Sequence, residues 1–370
     1  MRMFRLNSGL LFLAIGLLAM HSASHAATPA AMKAIVQAGT GGAEVMHYQT
    51  VPVPEPAAGQ VLVRIYAAAV NPEEWKQRAG ITGVPGREPG VEGPPTSTPA
   101  TPENTRIAGS DVAGVIEKPG PGVTQFKVGD AVFAPVNRGG PGALNGAYAQ
   151  FAVAAVDKVV RKPKNLTFAQ ASGLGTATTI GVRAVMLANV SPGQRVLVTG
   201  AAGGVGSAAV QAAKGRGAHV IGTAAAKHTA YLRRIGIDEV VDDQAGDWSG
   251  GIGNVDVVID TAAARNAQYA LLTLRKGGKL IKISGRPDTA ACAAAGVECP
   301  PLQRGPGGSQ EQDDAVMAEV VRLVEAGNLT VNVDATFPLE KAYEAQEENR
   351  KGTTQGKIIL IVDADHAGRQ

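Results

Sequence analysis

RVLVTGAAGGVG, residues 195–206, decides the architecture of this chain. A short β-branched apolar run leads in, a glycine-rich turn follows, and residues 207–216 then read as a helix of small residues. Glycine spacing alone carries little weight in a chain with 47 glycines. The specificity comes from the strand before the turn and the helix after it. At Gly203 a missing side chain lets the backbone approach a pyrophosphate. At Gly206 it lets the helix pack close to the strand, while the helix N-terminus offers N–H donors and the positive end of a dipole. Ala201 takes the place of the first glycine of the usual fingerprint. Ala201, Gly203, Gly204, Val205 and Gly206 are therefore read as a dinucleotide-binding loop.

Outward from this turn, strands are predicted at residues 219–223, 239–241, 255–259 and 279–283, alternating with helical segments. That rhythm is the sequence form of βαβ units and a doubly wound parallel sheet, the Rossmann arrangement. Cofactor choice is read at the end of the second strand, where NAD sites place a carboxylate on the ribose 2′-hydroxyl. Here the text is Thr223-Ala224-Ala225-Ala226-Lys227. Without an acid, and with Lys227 able to pair with a 2′-phosphate, the pattern points to NADP (NADPH); the alternative for Lys227 is a solvated loop lysine. Thr223, and Thr261 and Ser284 beyond later strands, join the candidate cofactor set.

Ahead of this unit, residues 33–36, 61–65, 112–116 and 131–133 read as short strands punctuated by Gly and Pro, the pattern of a small barrel. Between them, residues 81–105 hold six prolines and four glycines. They are expected to form an irregular loop, either a tolerated insertion or a lid over a substrate mouth. Residues 357–362 form an apolar strand with no helix after it, which is expected to return to the barrel.

The first residues differ from the rest. Arg2 and Arg5 precede an apolar run at residues 10–20, and Ser24-His25-Ala26 offers a small-x-small cleavage site. This is a secretory signal pattern, too short to span a membrane stably. Export through the Sec route to a periplasmic or secreted location is expected, or a cytoplasmic location if translation starts at Met32. Cys292 and Cys299 lie in an Ala/Gly/Pro-rich segment and form either one small disulfide or two free thiols. The net charge of +3 and the 18% charged residues give no footprint for nucleic acid.

Several motifs in order resemble a known family. They are Met32-Lys33-Ala34-Ile35-Val36, Val51-Pro52-Val53-Pro54-Glu55-Pro56, Val70-Asn71-Pro72-Glu73-Glu74-Trp75-Lys76, Gly109-Ser110-Asp111-Val112-Ala113-Gly114, Gly146-Ala147-Tyr148-Ala149, the glycine loop, Phe337-Pro338-Leu339 and Gly356-Lys357. The chain resembles the zinc-independent quinone oxidoreductase, or zeta-crystallin-like, branch of the medium-chain dehydrogenase/reductases. The resemblance implies an α/β fold in which a GroES-like β-barrel catalytic domain carries an inserted Rossmann domain. The expected divisions are a signal peptide at 1–26, the barrel at 31–157, the NADP-binding domain at 158–310 and a returning segment at 311–363. A homodimer is the family habit.

Zinc-dependent relatives place a cysteine ligand, and a His-Glu pair, where this chain has Asn71-Pro72-Glu73-Glu74 and Gly109-Ser110-Asp111. Without thiolate or imidazole there, no catalytic zinc is expected. The expected activity is hydride transfer from NADPH to an easily reduced small molecule, a quinone or an α,β-unsaturated carbonyl. By resemblance Asn71 is the candidate donor to the developing oxyanion, or else a turn residue before Pro72. Tyr148 either lines the site or packs the barrel, and Asp111 reads as structural. Three departures stand out: the proline-rich insertion makes the substrate mouth unlike that of a close template, and Ile180-Gly181 replaces a family Thr-Ala, which moves a nicotinamide contact to Thr179 or removes it. Asp243 stands where relatives often carry a tyrosine, and its charge opposes a 2′-phosphate. The alternatives are an NADPH-binding sensor or structural protein without turnover, and an alcohol or aldehyde reductase.

Overall fold

The structure is a computed structural model that describes residues 27–82, 93–136, 144–244, 246–261, 267–302 and 309–370. The leader expected at residues 1–26, and residues 83–92 of the proline-rich loop, lie outside these.

The chain opens with β1 (Ala31–Ala38), β2 (Met46–Pro52), β3 (Gln60–Val70), α1 (Pro72–Arg78), β4 (Thr105–Ile107), β5 (Asp111–Pro119), β6 (Ala131–Pro135), β7 (Phe151–Ala155) and β8 (Val160–Arg161). Next come α2 (Phe168–Ser172), a π-helical turn (Leu174–Thr178) and α3 (Thr179–Leu187). The alternating half follows: β9 (Arg195–Thr199), α4 (Gly204–Gly215), β10 (His219–Ala224), α5 (Thr229–Arg234), β11 (Glu239–Asp242), β12 (Val255–Asp260), α6 (Ala267–Leu272), β13 (Leu274–Lys282) and α7 (Thr289–Ala295). Finally come α8 (Gln310–Glu325), β14 (Val333–Pro338), α9 (Ala342–Arg350) and β15 (Lys357–Ile361).

The second half is the expected parallel sheet, in the order β11-β10-β9-β12-β13. Helices cover both faces, so strands such as β9 are apolar without alternation, and Val196, Leu197 and Val198 are fully buried. From β9 the chain winds first toward β11 and then back toward β13. The strand order therefore reverses between β9 and β12, and the crevice beyond their C-terminal ends is where such sheets bind ligands. The glycine loop sits at that point.

The first half forms two antiparallel-based sheets, β2-β1-β4 and β14-β15-β3-β5-β6-β8, with β7 also on β3. Strand β15 lies antiparallel to β3, as expected for the final apolar run. Ile358, Ile359 and Leu360 are fully buried there, each contributing about 1.5–3 kcal/mol of apolar transfer. Strand β14, not foreseen, runs parallel to β15.

Three expectations differ from the structure. Helix α4 begins at Gly204 with Gly203 as its N-cap, three residues ahead of the helix read from composition; first-turn N–H groups have no intrahelical partner anyway, so glycine costs less there. Strand β8 still pairs with β6, so the barrel sheet runs past residue 157. Helix α8 packs on α3 through Val316, Val320, Leu323 and Val324, so the Rossmann-type unit extends past residue 310 and the chain turns back only after it. An apolar face on α8 needs a partner, and α3 presents one.

Cys292 and Cys299 form a disulfide with Cα atoms 6.3 Å apart. The segment they close lies along the outer edge of β13, with Gly277 N–H on Gly296 O at 2.8 Å and Leu280 N–H on Glu298 O at 2.8 Å. Open edge hydrogen-bonding groups are thereby satisfied.

Candidate functional site

The glycine loop is held from below. Gly200 adopts φ +61°, a left-handed conformation that glycine takes without a Cβ penalty. Ala201 N–H donates to Thr223 O at 3.0 Å, and Thr261 Oγ1 donates to Thr199 O at 2.6 Å. Ala201 and Thr223 are fully buried, so both shape the loop from behind. At Gly206 a Cβ would lie 2.2 Å from Gly200 O, whereas at Gly203 the nearest atom would be Gly200 O at 3.6 Å. Helix packing thus explains Gly206, and no contact among the described residues explains Gly203. Gly203, Gly204 and Val205 are half-buried and stand at the N-terminus of a 12-residue helix. This open cradle fits a dinucleotide pyrophosphate.

At the end of β10, Lys227 is exposed and no carboxylate stands between Thr223 and Lys227. Asp243 accepts from Gln244 Nε2 at 2.7 Å. His228, beside Lys227, is buried, and its Nδ1 has no partner among the described residues; burial, and then the Lys227 charge, push its pKa below 6.5. Ser284 is half-buried just beyond β13. Thr179 spends its hydroxyl on Gly175 O at 2.6 Å and Thr176 O at 3.1 Å.

The two segments read as lacking zinc ligands are brought together. Asn71 Nδ2 donates to Asp111 Oδ2 at 3.0 Å and to Glu74 Oε1 at 3.3 Å. Asn71 also caps α1, a proline-initiated helix, and its own N–H donates to Glu74 Oε2 at 2.6 Å. Tyr148, fully buried in the barrel core, donates its hydroxyl to Glu74 Oε2 at 2.6 Å. From the other side, Thr176 of the π-helical turn donates to Asp111 through its N–H at 2.9 Å and its hydroxyl at 2.8 Å. Lys357 Nζ donates to Asn71 Oδ1 at 2.6 Å and to Val70 O at 2.7 Å.

This cluster touches the glycine loop. Gly356 N–H donates to Ala202 O at 2.8 Å, and a Cβ at Gly204 would meet Lys357 Cδ at 2.9 Å and Ala177 Cβ at 3.2 Å. Glu74, Asp111 and Asn71 are buried, while Ser110 and Thr176 are half-buried. Among the described residues no group of three or more His, Cys, Asp or Glu side chains could hold a metal ion.

Residues 57–164 match the family described as alcohol dehydrogenase GroES-like domain, and residues 235–360 the family described as zinc-binding dehydrogenase. The quinone oxidoreductase of Rattus norvegicus is 32% identical over 349 residues, covering 90% of this chain and 98% of that protein. The chain belongs to the quinone oxidoreductase branch of the medium-chain dehydrogenase/reductase superfamily.

Solved members and neighbours share its fold. A quinone oxidoreductase from Coxiella burnetii superposes with a TM-score of 0.73 at 26% identity, covering 90% of this chain and 99% of that one. An NAD-dependent alcohol dehydrogenase superposes with a TM-score of 0.75 at 27% identity, covering 90% and 100%. The family binds a nicotinamide cofactor, and the start of α4 at Gly203 is where the described residues leave room beside the loop. Thr176 escaped the sequence reading, and Lys357 entered it only within the Gly356-Lys357 motif, with no role at the site. A second signal was a lysine opening an otherwise wholly apolar strand, Lys357 ahead of Ile358-Ile359-Leu360-Ile361.

Proposed function

We propose that this oxidoreductase reduces a quinone or an α,β-unsaturated carbonyl with NADPH and without zinc. The observation that carries the reading is the cluster opposite the glycine loop, built from Asn71, Glu74, Ser110, Asp111, Thr176 and Lys357. It offers amide, hydroxyl, carboxylate and ammonium groups, and neither thiolate nor imidazole, so a zinc ion finds no suitable donor set. An acceptor that needs orientation more than Lewis-acid activation suits such a site.

A bound nicotinamide would supply the hydride. The N–H groups of α4's first turn would meet the pyrophosphate, and Lys227 the 2′-phosphate. Asn71 would hold the acceptor oxygen as negative charge develops there by turning to it the Nδ2 hydrogen now given to Glu74, the longer of its two carboxylate bonds at 3.3 Å, with Ser110 and Thr176 at the accessible edge. We further propose export: what supports it is the leader pattern and the Cys292–Cys299 disulfide, a bond favoured in oxidising compartments. A homodimer remains part of the proposal.

The test is purified mature protein with NADPH or NADH and a panel of quinones, enals and aldehydes. Quinone- or enal-dependent oxidation faster with NADPH supports the reading. Turnover of aldehydes alone would favour the alcohol or aldehyde reductase alternative. Cofactor binding without oxidation by any acceptor would leave the non-catalytic alternative.

A further inference from the structure

We propose that Lys357 is a positioning residue for this reduction, its buried ammonium orienting Asn71 and placing a fixed positive charge beside Asp111 and Glu74. The inference rests on the metal-free reading above and concerns which group makes that chemistry workable.

Lys357 is 5% exposed, and its side chain ends in a place no solvated lysine would choose. Its ammonium donates to Val70 O and to Asn71 Oδ1. Two carboxylates face it, Asp111 at 0% exposure and Glu74 at 2%. Between them they accept from Thr176, Ser110, Tyr148 and Asn71. A hydride acceptor builds negative charge as it is reduced. Two buried carboxylates with no cation would oppose that charge, and in a poorly screened interior the opposition is strong. The ammonium of Lys357 offsets them.

Orientation follows from the same bonds. With its carbonyl oxygen held by the ammonium, the Asn71 amide cannot flip, so its N–H2 stays on the Asp111 side. An amide whose oxygen accepts from a cation is also a stronger donor through its nitrogen. Because Gly356 is bonded to Ala202 of the glycine loop, the ammonium is held in register with the cofactor cradle. In the reaction the acceptor takes a hydride from the nicotinamide and a proton from water. Lys357 keeps its own protons throughout.

A purely structural role, stapling β15 to β3, predicts different kinetics. Burial lowers the Lys357 pKa from its ordinary 10.5, against the opposing pull of Asp111 and Glu74, so activity should decline on the alkaline side as the ammonium deprotonates. The experiment compares wild type, Lys357→Met, Asp111→Asn and the double variant, with 1,4-naphthoquinone and NADPH across a pH series. Lys357→Met is expected to lower kcat about 100-fold, the scale of losing one oriented electrostatic contact, with NADPH Kd little changed and the alkaline limb gone. The double variant, relieved of the uncompensated Asp111, should recover thermal stability but stay well below Asp111→Asn in kcat. Wild-type kcat in Lys357→Met, or a double variant equal to Asp111→Asn, would overturn the proposal. A wild-type protein that reduces no acceptor overturns the functional reading and this inference together, whereas an active wild type with an equally active Lys357→Met overturns the lysine alone.

Discussion

Lys357 Nζ lies 2.6 Å from Asn71 Oδ1, although 286 positions separate the two residues in the chain. The contact exists because β15 returns to β3, which ends at Val70, immediately before Asn71. A strand that closes the barrel therefore also delivers a charge to the candidate acceptor site. The same stretch reaches the glycine loop through Gly356, so one short segment touches both halves of the cleft.

Gly203 and Gly206 should respond differently to alanine. At Gly206 a Cβ would collide with backbone, Gly200 O at 2.2 Å, so Gly206→Ala is expected to cost about 1–3 kcal/mol of stability and to weaken cofactor binding. At Gly203 the space is open on the protein side, so Gly203→Ala should leave the melting temperature nearly unchanged while weakening NADPH at least about tenfold, the effect of losing about 1.4 kcal/mol of binding. Thermal melts paired with calorimetric titration check both; a Gly203→Ala protein with wild-type affinity would remove the pyrophosphate from that place.

Lys227→Ala is expected to weaken NADPH far more than NADH, because only the former carries a phosphate for Lys227 to meet. Equal losses for both cofactors would count against the NADP assignment. Asp243→Asn should act in the opposite sense and improve NADPH relative to NADH, since it deletes a charge that opposes the phosphate.

Asp130 links stability to acid. Its carboxyl is held below the ordinary 3.8 first by the Lys127 N–H, against a burial effect that works the other way, with Arg161 adding to the lowering. A carboxylate with a depressed folded pKa contributes stability that is complete above the unfolded value and is lost as pH falls through the folded one. Urea unfolding should therefore show wild type losing stability below about pH 4, and Asp130→Asn losing measurably less over the same interval. Identical slopes would mean that the Asp130 contacts do not persist in solution.

The disulfide should matter for stability. Replacing Cys292 and Cys299 by alanine is expected to cost about 2 kcal/mol, the loop-entropy scale for so short a ring. Reductant should lower the melting temperature of wild type and leave the double alanine variant unaffected. No response of wild type to reductant would show that the bond contributes nothing.

Much of the parallel-sheet unit was legible in the sequence. Residues 195–199 form β9 as read, and the strands beginning at His219, Glu239 and Val255 each differ from the reading by one residue at the end. Local signals suffice there: buried parallel strands are continuous apolar runs, and a glycine turn between strand and helix has one common use. Strands β2, β4, β7, β8 and β14 were missed. Strand β8 spans two residues, and the run His47-Tyr48-Gln49-Thr50 in β2 is largely exposed, so neither carries much hydrophobic periodicity.

The candidate site divides along the same line. By itself the sequence determined the glycine cradle, the missing carboxylate after β10, and the absence of zinc-type ligands near Asn71 and Asp111, because each depends on residue identity within a few positions of a recognisable element. Only the tertiary structure decided that Asn71, Asp111, Thr176 and Lys357 form one hydrogen-bonded cluster. Those residues come from four separate elements or their edges, and what joins them is long-range strand pairing and the cost of burying unpaired charge, neither of which leaves a mark on local sequence.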